Sequence, residues 1–138
     1  MKKVFFGFVI LLGMVTSACS NGGGDLTVDE SIEAFANAGL EAESPTEMTK
    51  DDYGMAPMKA EEGKRILLPS LCEDCGGRVF SYDSQDDLEQ MKAYYDEMGE
   101  ESAMLFSWTI VHKNILVQLN GDLSEDQYKE YEKALKEL

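Results

Sequence analysis

Two cysteines, Cys72 and Cys75, stand three residues apart with Gly76 and Gly77 directly behind them. That spacing suits three kinds of chemistry: half of a zinc site, a thiol redox couple, or a plain disulfide. A structural zinc site closes with four ligands, usually all Cys and His. The chain offers no second cysteine pair and a single histidine, His112, so completing the shell would take acids or a second chain. A redox couple places its first thiol at a helix N-terminus, where the dipole lowers its pKa. Here Gly76-Gly77 and a strand-like run follow, and Glu73 and Asp74 between the cysteines favour the protonated thiol. What remains is a bonded pair closing a β-turn. Met55-x-x-Met58, with Met48 nearby, has the thioether chemistry that holds Cu(I), although methionine more often fills irregular gaps in a core. Metal candidates are therefore Cys72, Cys75, Met55, Met58 and His112.

Other chemistry fits poorly. No G-x-S-x-G elbow is present, and His112 has no adjacent nucleophile. Gly76-Gly77 is too short for a phosphate-cradling loop, and no cofactor motif occurs. Asn120-x-Asp122-x-Ser124 opens like a calcium loop, but Glu125 stands where glycine is needed and Tyr131 where the bidentate glutamate belongs. Acid pairs such as Asp51-Asp52, Asp86-Asp87 and Glu100-Glu101 read as solvated faces and helix first turns. The residues hold no catalytic constellation, and the reading is of a protein that is not an enzyme.

The N-terminus decides the compartment. Lys2 and Lys3 precede an apolar run from Val4 to Val15, the form of a signal-peptide core and short of the ~20 residues of a membrane-spanning helix. Thr16-Ser17-Ala18-Cys19 follows. This resembles the lipobox of bacterial lipoproteins, with Thr16 where that family usually has leucine. The resemblance implies cleavage before Cys19, lipidation of its thiol and attachment to the cell membrane on the extracytoplasmic side. Two acyl chains hold a protein at a bilayer where one binds only marginally. Residues 1–18 then form the signal peptide, 19–25 the lipidated cysteine and a flexible tether, and 26–138 one domain. Lipidation of Cys19 leaves Cys72 and Cys75 as a pair, in a compartment where disulfides persist.

The formal net charge is −15, with 27 acidic against 12 basic side chains. Such a surface repels nucleic acid and anionic headgroups, so contact with the membrane falls to the lipid on Cys19.

The elements that must position these residues are legible from caps and periodicity. Thr27-Val-Asp-Glu30 and Ser124-Glu-Asp-Gln127 are capping boxes, and Ser84 precedes two acids. They predict helices carrying Val28, Ile32 and Phe35, then Leu88, Met91 and Tyr95 up to Gly99, then Tyr128, Tyr131, Leu135 and Leu138. Strands are expected over 65–71, 78–82, 104–111 and 115–119, the last two joined by a turn at His112-Lys113-Asn114. The segment 41–64 reads as a long loop with a helical turn near Lys50–Tyr53. The order α-β-β-α-β-β-α predicts a small α+β sandwich, with helices on one face of about four antiparallel strands. Phe80, Tyr82 and Trp108 are then candidates to line an exposed sheet face. The function expected is a lipid-anchored binding or accessory domain for a protein, peptide or small solute. The alternative is a metal or thiol-redox accessory acting through Cys72 and Cys75.

Overall fold

The computed structural model describes residues 24–138. The leader, Cys19 and the tether up to Gly23 lie outside the described residues.

Capping starts three of the helices where the local chemistry places them. The Thr27 hydroxyl accepts from the Glu30 backbone N–H at 3.1 Å, and the Glu30 carboxylate accepts from the Thr27 N–H at 2.8 Å, opening α1 (Val28–Asn37). Gly39, with φ +76°, closes it. A single helical turn, α2 (Lys50–Tyr53), falls where it is expected. Ser84 caps α3 (Gln85–Glu101), and the Ser124–Gln127 box opens α4 (Glu125–Lys136).

The strands are β1 (Glu43–Glu47), β2 (Glu62–Leu67), β3 (Gly76–Ser81), β4 (Ser107–His112) and β5 (Ile115–Asn120). They form one antiparallel sheet in the order β1-β2-β3-β5-β4. The α+β class holds, and the sheet has five strands where about four are expected. The addition is β1, inside the segment read as a loop. Its sequence, Glu-Ser-Pro-Thr-Glu, is exposed at every position and its pairing with β2 shifts register between Glu43 and Thr46. Charge, proline and a register shift are what an edge strand carries to resist further pairing, and they also erase the alternation by which a strand is recognised.

Helices cover both faces of the sheet, which corrects the one-face expectation. On one face α1 and α4 pack together over Ile66, Val79, Ile110, Val117 and Leu119, with Phe35 and Tyr131 edge to face at 5.1 Å. On the other, Leu88, Met91 and Tyr95 of α3 cover Phe80, Tyr82 and Leu116. The cause is β5, buried from Ile115 through Leu119: successive side chains point to opposite faces, so an unbroken apolar run requires cover on both. Phe80 and Tyr82 are accordingly buried, and Trp108 is half-buried against the α4 side, stacked on Tyr128 at 4.5 Å. They do not line an exposed face.

The α3–β4 connection also differs. α3 runs past Gly99 to Glu101, and Ala103–Leu105 form a 3-10 turn, so β4 begins at Ser107 and not at Met104. Gly99 therefore does not end the helix. A Cβ there would sit 3.2 Å from Phe106 Cα, so the missing side chain lets the Phe106 segment lie against α3.

Candidate ligand-binding cleft

α3 covers only part of its sheet face. Toward the end of the sheet where β4 begins, a gap lies between α3 and the strands, lined by Tyr94, Tyr95 and Met98 on the helix side. The gap is bounded by α2 and the loop after it, by the 3-10 turn, and by β3, β4 and β5, and encloses about 580 Å³.

Its floor is polar by register. Arg78 pairs with Gln118, Gln118 with Thr109, and Ser107 with Asn120 across the ladders. Arg78 and Gln118 lie two residues from Phe80 and Leu116, and so share the face that α3 covers. Gln118 and Ser107 are nearly buried, at 7% and 8% exposure. The Arg78 Nη1 donates to Gln118 Oε1 at 3.0 Å. Arg78 Nε and Ser107 Oγ are buried and have no hydrogen-bond partner among the described residues.

Arg78 forms no ion pair among the described residues, whereas Arg65, its cross-strand neighbour on the same face, pairs with Asp52 at 3.3 Å. Asp52 is itself held by the Thr49 N–H at 2.7 Å, and this bond and the Thr49 hydroxyl, more than Arg65, keep its carboxyl below the usual range. The walls add apolar surface to this polar lining: Tyr94, Tyr95 and Met98 from α3, Ala56 from the loop, and Phe106 beyond the 3-10 turn. Burial raises the Tyr95 phenol to about 12, with Arg78 pulling it weakly the other way. Met55 and Met104 stand at the mouth 93% and 94% exposed, and so are not filling the core. Thr109 Oγ1 donates to Asp96 at 2.8 Å and ties α3 to β4 beside the cleft.

The residues singled out by sequence lie in three separate places. Cys72 and Cys75 are bonded to each other in the β2–β3 loop, Cα atoms 5.0 Å apart, with the Leu68 N–H donating to the Cys75 carbonyl at 2.8 Å. The glycines behind them serve strand packing: a Cβ on Gly76 would meet the Ile66 carbonyl at 1.9 Å, and one on Gly77 the Gln118 carbonyl at 2.5 Å. His112 ends β4 at the opposite end of the sheet, since Ser81 and His112 both pair with Ile115 while Gly77 pairs with Leu119. Its Nε2 is buried without a partner among the described residues, and burial first, then Lys113 and Lys136, lowers its pKa. Met55 reaches the cleft mouth and Met58 does not line it. Among the described residues no three His, Cys, Asp or Glu side chains converge as metal ligands would. Asp122, from the rejected calcium loop, donates its N–H to Asn120 Oδ1 at 2.8 Å in a local turn.

Sequence reasoning missed Arg78, Ser107 and Gln118, which come from three strands and line one cleft. One trace was available: Gln118 interrupts an apolar run, and a polar side chain inside a buried strand needs a partner.

No family model matches the chain, and neither a curated protein nor a solved structure matches it.

Proposed function

We propose that this protein is a lipid-anchored, extracytoplasmic binding domain that is not an enzyme, and that the cleft beneath α3 is its ligand site. One observation carries the site: Arg78 lines an open cleft, is held by the neutral Gln118 amide and forms no ion pair among the described residues. A charged group held out of bulk water without a counterion is costly until an opposite charge pairs with it. The volume of about 580 Å³ suits a small organic molecule. The cleft offers Arg78, Gln118 and Ser107 as polar binding groups beside apolar side chains of α3.

The membrane side of the proposal rests on Cys19 and the residues before it. Among the described residues no helix is long and apolar enough to cross a bilayer. Lipid on Cys19 and the tether of Ser20 to Gly24 would hold the acidic domain just off the headgroups, its cleft facing solutes outside the cytoplasm.

The test is comparison of small molecules that co-purify with the full chain and with an Ala103→Trp variant. Ala103 is exposed on the cleft lining, so an indole there fills the cleft without entering the core. Mass spectrometry should find a compound retained by the wild type and lost from the variant. Identical profiles from the two proteins would count against the cleft as the site.

A further inference from the structure

We infer that the ligand of this cleft carries a single carboxylate on an apolar body, with the carboxylate seated on the Arg78 guanidinium. The inference rests on the reading of the cleft as a ligand site and adds the chemistry of what enters it.

The floor is rich in donors. A guanidinium has five N–H donors and no acceptor. Arg78 spends Nη1 on Gln118 Oε1 and leaves Nε–H without a partner. The flat fork of a guanidinium matches the oxygens of a carboxylate. Gln118 Oε1 already accepts from Arg78, and the guanidinium repels a cation brought to the same floor. Arg78 also forms no ion pair among the described residues. In a chain with 27 acidic side chains it faces a neutral amide, while Arg65 one strand away has taken Asp52.

The same composition limits the ligand to one negative charge. Asp51, Asp52 and Asp122 line the mouth, and the chain carries −15 overall. A phosphate or polyanion would meet that field with every added charge, whereas one carboxylate is answered by one guanidinium. The remainder of the ligand lies against Tyr94, Tyr95, Met98 and Phe106, a wall that rewards aliphatic or aromatic carbon.

The experiment is calorimetric titration of the full chain in phosphatidylcholine nanodiscs, with empty discs subtracted. The probes are 4-phenylbutyrate, 4-phenylbutanol and 4-phenylbutylamine, which share a body and differ in the charge at its end. A charge-assisted bond to the part-buried guanidinium should make the acid bind roughly ten- to a hundredfold tighter than the alcohol, with the amine weakest. Arg78→Gln should bring acid and alcohol to parity, and Arg78→Lys, which keeps the charge and loses the fork, should retain part of the preference. Circular dichroism checks that both variants fold, and the lysine variant carries the test if the glutamine variant does not. Ala103→Trp should abolish binding of acid and alcohol together. Equal affinity for the two, lost together in Ala103→Trp, would overturn the carboxylate inference and leave the cleft standing as a site. A preference for the acid that survives both Arg78→Gln and Ala103→Trp would overturn the inference and the cleft with it. Failure of the wild type to bind the acid at millimolar concentration also overturns the inference.

Discussion

Phe106 forms part of the cleft wall because two glycines make room for it, and replacing each with alanine should have very different effects. A Cβ on Gly121 would lie 2.2 Å from the Phe106 carbonyl oxygen and 2.9 Å from its ring, where real Cβ contacts keep at least 3.0 Å. The obstacle is backbone, so relief requires moving the Phe106 segment by the better part of an ångström. Overpacking of this kind costs about 1–3 kcal/mol, and a backbone clash belongs in the upper half of that range. At ~4–8 °C per kcal/mol for a domain near this size, Gly121→Ala should lower the melting temperature by roughly 10–20 °C. Gly99→Ala is the control. Its Cβ would meet Phe106 Cα and Cδ2 at 3.2 Å, a contact relieved by a few tenths of an ångström. Alanine in a helix interior also gains about 0.5–1 kcal/mol over glycine, so the net change should be close to zero. The single tryptophan reports the movement: the Trp108 ring stands edge to face on Phe106 at 5.0 Å. Its emission should shift in Gly121→Ala and stay put in Gly99→Ala. A Gly121→Ala protein as stable as the wild type, or a Gly99→Ala protein equally destabilised, would refute the placement of Phe106 between the two glycines.

Other consequences can be measured directly. Cys19→Ala should leave the leader uncut or release the protein into the medium, and membrane fractionation with a blot for the processed chain would reveal the opposite if the processed variant stays bound. Replacing both Cys72 and Cys75 with serine should cost no more than about 2 kcal/mol, because the loop they close is so short; scanning calorimetry that finds the double variant unfolded would show the bond to be essential to the β2–β3 turn. At high pH the buried phenols matter. Tyr95 is pushed up to about 12, and burial also raises Tyr82 and Tyr131 above the ordinary 10.0. A folded-state value above the unfolded one means the stability is complete below the unfolded value and drains as pH rises toward the folded one. Urea midpoints should therefore fall from about pH 10 upward, together with late phenolate absorbance; phenols that all titrate at the ordinary value would contradict the burial.

Local chemistry made part of this molecule legible. Thr27, Ser84 and Ser124 announce helices because a cap is complete within four residues. The β4–β5 hairpin turns at Lys113, with φ +52°, and Asn114, where the pattern puts it. Features that depend on distant residues were not legible. Met104, Phe106 and Trp108 alternate like a strand, yet the first two precede β4, because Gly99 and Gly121 draw the chain at Phe106 into a path no window of sequence shows. β1 has no apolar period because both its faces meet solvent. The layering was legible in principle: Ile115 through Leu119 is a continuous buried run with one glutamine in it, the mark of a strand covered on both faces.

That glutamine links the fold to the proposed chemistry. On β5 Gln118 stands between Val117 and Leu119, both fully buried, and a buried amide there must find a partner or cost stability. It finds Arg78, and in doing so it aims a cation at the cleft without cancelling its charge. An acid at position 118 would have made the stronger pair and closed the site, since a carboxylate would take the same fork that a ligand needs. A neutral amide positions the guanidinium through one nitrogen and leaves the rest available. Gly77 belongs to the same arrangement: it precedes Arg78 and lies against the Gln118 carbonyl with no room for a side chain, which holds β3 tightly on β5 at that register. The glycine pair behind the cysteines, which suggested metal or phosphate chemistry, therefore bears on the proposed site through the arginine that follows it.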